Sequence, residues 1–528
     1  MGYWARAPQA REQLVLIATT LDDRIPEDHP VRAFAEILDG YDWSAWEGRY
    51  HGKLGQPPIH PSVLAGAWLY ALRRGVRSSR KVEYMIGHNI DFMWLVRGHA
   101  VDHTTLSEFR SNFAVELKDL FRYVARIAMA AGLLELVDVA TDGTRVKANN
   151  SRYQTWTADR IAAALEELVK AFDQKLAESQ TADAQDDGLG TASLDKLPPE
   201  LAEIAPRQAH LKEIQQRLHE ADAARQKDGI DPRKNPAQIP RHDTDARVLP
   251  NKEGGYAPNY TPFVTTEGRG GFIVDATVIV GNVEHTELLP SVDRVIETCG
   301  EKPAHVLADG AFATGPNIVG MEARGIEFFS HLPMPAVADN PAIRPDPTQP
   351  VAEADRDRLP ISPQTRRLDK ACFVYDAAAD LYYCPQGQPL AFETTKSEIR
   401  HGEKSSSRVY RCTACDTCPL KPKCVSDKNK GGRTVSRDTF TADRERFARQ
   451  MQTEAARKTY DQRMRIGETP FALIKHVLGL RQFLLRGLEK VQTEWLWTCT
   501  AVNLDKLATG LRRIRAAMAT PMAAEVVN

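Results

Sequence analysis

Leu133–Val146 reads LLELVDVATDGTRV, and here the chain changes its period. Val137, Val139 and Thr141 alternate with Asp138 and Ala140, the two-residue repeat of a strand. That strand delivers Asp142 to a glycine turn at its end. An aspartate in such a place serves either as a turn former or as a ligand at the sheet's edge.

Downstream, Ala158–Glu178 is rich in Ala, Glu and Lys and predicts a helix. The polar stretch SQTADAQDDGLGTASLDKLPPE (179–200) follows, then a second helix to Gln226, so a helical hairpin is inserted over 155–230. Two strands come next, Tyr260–Thr266 and Gly271–Val280, joined through EGRGG. A helix over Leu288–Ile296 leads to AHVLADGAFA (304–313), a short buried strand ending at Asp309, and GIEFFSHL (325–332) reads as another. This order predicts a mixed α/β sheet with helices packed on it. Asp142 and Asp309 lie 167 positions apart (309 − 142), yet each ends a strand. Open sheets gather ligands at the ends of neighbouring strands.

A third acid sits in YDQRMRIGETPFALIKHVLGLRQFLLRGLEK (460–490), a run otherwise basic and apolar. Glu468 is surrounded there by Arg463, Arg465, Lys475, His476, Arg481 and Arg486. On a continuous helical wheel Glu468 and Lys475 fall near one line, opposite Phe471, Ile474, Val477 and Leu478. A solvated polar face with one intrahelical ion pair is the plainer explanation; a site for a metal ion and a polyanion is the other. Pro470 cannot donate within a helix, so the helix either begins near Thr469 or is kinked there. Beginning there, it would hold Glu468 at a helix N-terminus, whose partial charge favours a carboxylate. Three such acids suit two hard divalent cations, which take oxygen ligands and act together in phosphodiester displacement.

The net charge of −1 gives no whole-protein sign of nucleic acid, so a nucleic-acid surface must come from local clustering. With 528 residues, several domains are expected. The N-terminus has no leader pattern, and no run approaches roughly eighteen apolar residues, which predicts a soluble cytoplasmic protein without membrane contact. Residues 1–125 read as short helices. Pro61 opens one that Gly75 ends, Ser78 or Ser79 caps the next, and Thr105 with Glu108 forms a capping box for a third running past Phe113. Arg73, Arg74, Arg77, Arg80, Lys81 and Arg110 among them suit DNA docking, or a plain bundle.

The Pro- and Asp-rich stretch from Met334 to Arg367 reads as linker. Beyond it Cys384, Cys412, Cys415, Cys418 and Cys424 crowd together, a density that in a reducing compartment favours metal over disulfide. Cys412, Cys415, Cys418 and Cys424 are the expected zinc ligands, with Cys384 able to replace one of them.

TDGTRVKANNS (141–151), VLADGAF (306–312) and YDQRMRIGETPFALIK…LRGLEKVQTEW (460–495) together resemble the signature of bacterial insertion-sequence DDE transposases. The likeness spans roughly residues 30–515. It implies an RNase H-like mixed-sheet catalytic core at 126–335 and 456–516, a helical N-terminal DNA-binding domain at 1–125, and a tail at 517–528. Residues 336–455 would hold the linker and a small zinc-binding insertion. By the same resemblance Asp142, Asp309 and Glu468 are the catalytic acids, binding two Mg²⁺ ions for which Mn²⁺ can substitute. Tyr460, Arg463 and Lys475 match residues that accompany the glutamate and, with Arg465, would face DNA. Gly467 stands where an apolar residue is more usual, Ala472 replaces a frequent glycine, and Arg463 lies one place further upstream than is common. The implied activity is DNA cleavage at terminal inverted repeats and 3′-hydroxyl transfer into target DNA, by a nucleoid-associated homodimer. Two other readings stay open: a catalytically inactive zinc-dependent DNA-binding regulator, and a divalent-metal nuclease that cuts without joining.

Overall fold

The computed structural model describes residues 20–50, 57–186, 199–227, 231–251, 254–332, 340–400, 403–426 and 431–519. The chain divides into two compact units. One is Met1–Glu135, Ala472–Leu480 and Gln492–Asn528; the other is Leu136–Phe471 and Arg481–Val491. Residues 456–516, expected to travel together, are thus shared between them. No helix among the described residues is long and apolar enough to cross a membrane.

The first unit is helical: α1 Pro30–Asp39, α2 Pro61–Arg73, α3 Ser79–His88, α4 His103–Asn112 and α5 Ala114–Ala130. Most of the C-terminal helix Leu488–Ala519 belongs to it too. α2 is buried almost all round, as a central helix must be, and Gly75 follows it at φ +70, a conformation that favours glycine. The cap of α4 is Asp102, not Thr105: its carboxylate accepts from the amides of Thr104 and Thr105, and the Thr105 hydroxyl donates to it. The run also breaks at Phe113, so the expected single helix is two.

Aromatic rings fill this core. Trp46 stacks on Phe113 at 5.0 Å and meets Trp497 edge-on at 6.1 Å. The Trp497 indole donates to the Arg110 carbonyl at 3.1 Å. The cations expected to face DNA are largely engaged inside the unit. Arg73 pairs with Asp505, Arg74 with Asp91 and Arg77 with Glu494. Arg110 is buried, its guanidinium 4.8 Å from the Trp68 ring centre. Arg74, although paired, is exposed, as are Arg80 and Lys81.

The second unit is built on a seven-stranded sheet. Its principal strands are β1 Asp138–Gly143, β2 Tyr256–Glu267, β3 Ile273–Ile279, β4 His305–Ala308 and β5 Glu327–Ser330. They lie in the order β3-β2-β1-β4-β5; β1, β4 and β5 run parallel and β2 antiparallel to both neighbours. Short strands Val146–Lys147 and Arg247–Pro250 pair with the first half of β2.

Both faces of the sheet are covered. Val139, Val306 and Phe328 face Leu288, Val292, Ile318 and Met321, supplied by the helices α8 Leu288–Cys299 and α9 Gly315–Arg324. Ala140, Leu307 and Phe329 face the other way, against Ala456 and Ile466. Between β1 and β2 the helices α6 Ala158–Asp186 and α7 Pro199–Lys227 pair as the inserted hairpin, sealed at its base by Ile161, Ile214, Leu218 and Ile239.

The part of 334–367 that is described is not a linker. Ala342, Val351, Leu359 and Leu368 are buried in one core with the cysteines. Arg344 satisfies carbonyls of this irregular chain at Ala342, Pro347 and Gln349. Apolar residues at aperiodic spacing carry no helix or strand signal, yet they bury equally well once side chains cap the backbone. An antiparallel meander follows: β6 Val374–Asp376, β7 Leu381–Tyr383, β8 Pro389–Arg400, β9 Glu403–Arg411 and β10 Thr434–Asp438.

The Arg77–Glu494 pair, 2.8 Å long with Glu494 only 3% exposed, yields a stability test of the helical unit. Arg77→Ala should destabilise it by about 3–5 kcal/mol in urea unfolding, because it removes the hydrogen-bonded cation from a buried carboxylate. Replacing both partners by apolar residues of similar size should cost much less.

Candidate active site

Two of the three acids are brought together by sheet register. Asp138, Val139 and Ala140 lie opposite His305, Val306 and Leu307. Continuing that register by two residues sets Asp142 opposite Asp309. Neighbouring strands lie about 4.8 Å apart, so the two carboxylates leave adjacent backbones. Asp142 is half-buried, and its Oδ1 accepts from the Gly143 amide at 2.8 Å. Asp309 caps the short turn Gly310–Phe312, taking the Ala311 amide at 2.8 Å, while its carbonyl accepts the Ser330 hydroxyl at 2.6 Å. The turn that aims Asp309 is therefore tied to the end of β5.

A buried polar chain fixes β1 one residue before Asp142. Thr141 meets Thr265 at 2.8 Å, Thr265 meets Ser291 at 2.7 Å, and Ser291 donates to Asp275 at 2.7 Å. Arg294 closes the chain with two hydrogen bonds to the Asp275 carboxylate, at 2.8 and 2.9 Å. Such groups, satisfied and out of water, hold a strand end rigidly.

Glu468 arrives on α12, Arg463–Ala472, which follows α10 Thr441–Gln450 and α11 Glu454–Tyr460. It is exposed and sits inside the helix, so of the two alternatives raised by Pro470 the helix does not begin near Thr469. The proline is accommodated within α12, and a π-helical turn, Leu473–Val477, follows directly. The helix-dipole argument for Glu468 therefore falls. The wheel that aligned Lys475 with Glu468 falls too, because it assumed unbroken α geometry.

What seats Glu468 is its neighbour. Gly467 is buried, and a Cβ built on it would lie 3.5 Å from the Asp142 Cβ and 3.6 Å from that of Ala140. The backbone preceding Glu468 thus rests on the strand that carries Asp142. Ile466 anchors the same turn in the cluster of Ala140, Leu307 and Phe329.

Glu284 is a fourth acid at this strand end, and nothing in the sequence reading marked it. Its carboxylate fills the place a side chain on Gly143 would take, 2.3 Å from an ideal Cβ. Arg145 pairs with it at 2.7 Å. The available signal was the short spacing of Asp142, Gly143 and Arg145, which fixes the cation but not its distant partner.

Of the expected DNA contacts, Tyr460 is half-buried against the Ala140 cluster. Arg463 is partly exposed. Arg465 is exposed, with its guanidinium on the Gln462 side chain and the Gly268 carbonyl. Lys475 lies in the π turn, in the segment grouped with the helical unit. Among the described residues no three His, Cys, Asp or Glu side chains are gathered closely enough to hold a metal ion. The donor set at the strand ends is all oxygen, as hard divalent cations require.

Residues 383–508 match the family model of the transposase DDE domain, and residues 19–112 match that of a transposase domain, DUF772. Two family models of transposase domains thus match parts of the chain. Together they agree with an insertion-sequence DDE transposase. The DDE-domain match contains Glu468 and all five clustered cysteines; Asp142 and Asp309 lie before it. The DUF772 match ends with α4. No curated protein matches the chain.

Two glycines separate tight packing from tolerance. Gly143→Ala should cost about 1–3 kcal/mol in chemical denaturation, since Glu284 must leave Arg145 to make room. Gly467→Ala meets only ordinary van der Waals contacts and gains roughly 1 kcal/mol of helix propensity. It should be neutral or stabilising, whereas a branched residue there should push the helix away from Asp142.

Proposed function

We propose that this protein is a DNA transposase with an RNase H-like core that cleaves element ends and transfers the freed 3′-hydroxyl into target DNA. The observation that carries the reading is the parallel register of β1 and β4, whose last pair, Ala140 and Leu307, lies two residues before Asp142 and Asp309. The packing of Gly467 on Asp142 supports Glu468 as the third acid. Strand order β3-β2-β1-β4-β5, with the last three parallel, supports the RNase H-like assignment.

Asp142, Asp309 and Glu468 would hold the divalent ions, Mg²⁺ or Mn²⁺. When bound, such ions supply charge for the attacking and leaving oxygens of an in-line phosphoryl transfer. The protein's contribution is placement. Asp142 is fixed by the strand and the Thr141 network, Asp309 by its capped turn, and Glu468 by the glycine contact. Fixed carboxylates need no reorganisation as charge develops, which is how a site stabilises a transition state. Hydrolysis and strand transfer are both in-line displacements at phosphorus, so one arrangement serves both. Tyr460, Arg463, Arg465 and Lys475 are proposed to meet the DNA backbone. The partner is double-stranded DNA bearing terminal repeats, handled by a homodimer in the nucleoid.

Replacing Asp142, Asp309 or Glu468 singly by Ala should lower metal-dependent cleavage of element-end DNA by at least about 10²–10³-fold. Binding of that DNA should stay within a few-fold. Loss of all three without effect would favour a regulator, and cutting without strand transfer would favour a nuclease. In a Glu468→Gln background, Lys475→Ala should flatten the dependence of log affinity on log salt by about 0.9 if the lysine meets phosphate. An unchanged slope would remove it from the interface.

A further inference from the structure

Among the described residues the cysteines expected to bind zinc do not gather as a metal site; they pack in and against the core of the meander. A different feature stands out at the root of the inserted hairpin. A cavity of about 710 Å³ opens there, walled by α6, α7 and the segments around the strand pair Thr155–Trp156 and Ile239–Pro240. Arg160, Arg207, His210, Arg241 and His242 line it against a single acid, Glu167. Arg207 and His210 lie about one turn apart on α7, and both are exposed.

Two aromatic rings share the wall. Trp156 packs on the cluster of Ile161, Ile214 and Leu218, and the Arg241 guanidinium lies 4.8 Å from its ring centre. Tyr153 is the opposite case, 76% exposed. Its backbone is nevertheless fixed. The Asn150 side chain donates to the carbonyls of Ser151 and Gln154 at 2.7 and 2.9 Å and accepts the His242 amide at 2.8 Å. Arg160 donates to the carbonyls of Tyr153 and Thr155 at 3.2 and 2.8 Å. The cavity thus carries a solvated ring on a braced turn, beside exposed cations.

A braced turn has little backbone freedom left to lose when a flat partner covers its ring. A small anion would use the cations and leave the ring bare, and an apolar ligand would bring no charge. A base on the ring with its phosphate beside the arginines uses both. Within a duplex the base faces are stacked on one another, so only an unpaired base offers its face to a side chain. We propose that this cavity binds an unpaired nucleotide of a DNA strand, its base on Tyr153 and its phosphate beside Arg207 and Arg241. That the strand is DNA rests on the proposed function; the fit to a base and a phosphate does not. Eleven residues separate Asp142 from Tyr153 (153 − 142). They span at most about 40 Å, so one DNA strand can reach both places.

The test is fluorescence anisotropy of the full chain with a short labelled oligothymidylate, in the absence of divalent ions. Wild-type protein should bind it about 5–150-fold more tightly than a strand of the same length lacking bases, the effect of one stacked base. Tyr153→Ala should abolish that difference and Tyr153→Phe should keep it. Arg207→Ala should lower the slope of log affinity against log salt by about 0.7. Binding of a blunt duplex should be the same in wild type and Tyr153→Ala. Equal wild-type affinity for strands with and without bases overturns the proposal, as does an unchanged preference in Tyr153→Ala. An equal loss on blunt duplex, or displacement by thymidine monophosphate as tight as by the strand, also overturns it. Nothing is cleaved without divalent ions, so failure here and failure of the proposed reaction are separate results.

Discussion

The second unit depends on the burial of β1 from both sides. Val139 is covered by one helical layer and Ala140 by another, so the strand has no solvent-facing side along its middle. A polar residue on such a strand finds water only at its end, and Asp142 stands there. The parallel partner β4 is covered in the same way and ends in Asp309. Because pairing between the two is set by which residues face which layer, a slip of one place would turn each side chain to the wrong face. Core packing therefore sets the register of the two strands that lead to Asp142 and Asp309, although neither carboxylate contributes to that core.

The third acid is held by a different device. Glu468 is exposed and makes no core contact of its own; its position follows from Ile466 and Gly467 on the preceding turn. Glycine lets the helix backbone approach β1 closely at the position just before the acid. Pro470 and the π turn after it make the continuation irregular. A proline removes a donor and crowds the preceding carbonyl, and π turns are a common accommodation near functional positions. Glu284, paired with Arg145, fills the remaining space beside Gly143 and keeps that strand end crowded with charge.

The cysteine module shows how a region with little regular structure makes a core. Aperiodic apolar residues from 342–368, the tyrosines of the meander and the cysteines share one cluster. Arginines do much of the backbone satisfaction there. Arg344 caps the carbonyls around it, and Arg433 reaches those of Leu368 and Cys424 while lying over Phe373. The helical unit spends its cations similarly, Arg110 on Trp68 and Arg77 on Glu494. A count of basic residues in either region overstates the charge offered to a ligand.

The sequence by itself determined the elements whose signal is local. Period-two alternation around Val139, the helix opened by Pro61, the inserted hairpin and the strand ending at Asp309 were all legible, because each is decided by neighbours within a few residues. Tertiary structure alone decided what depends on distant partners. It shared the residues after Phe471 between two units and turned the expected linker into core. It also engaged Arg73, Arg74 and Arg77 with acids, set Gly467 against Asp142, and brought Glu284 to Gly143. The physical reason is the same in each case: these contacts join residues far apart in the chain, and only the packed fold determines which face each side chain meets.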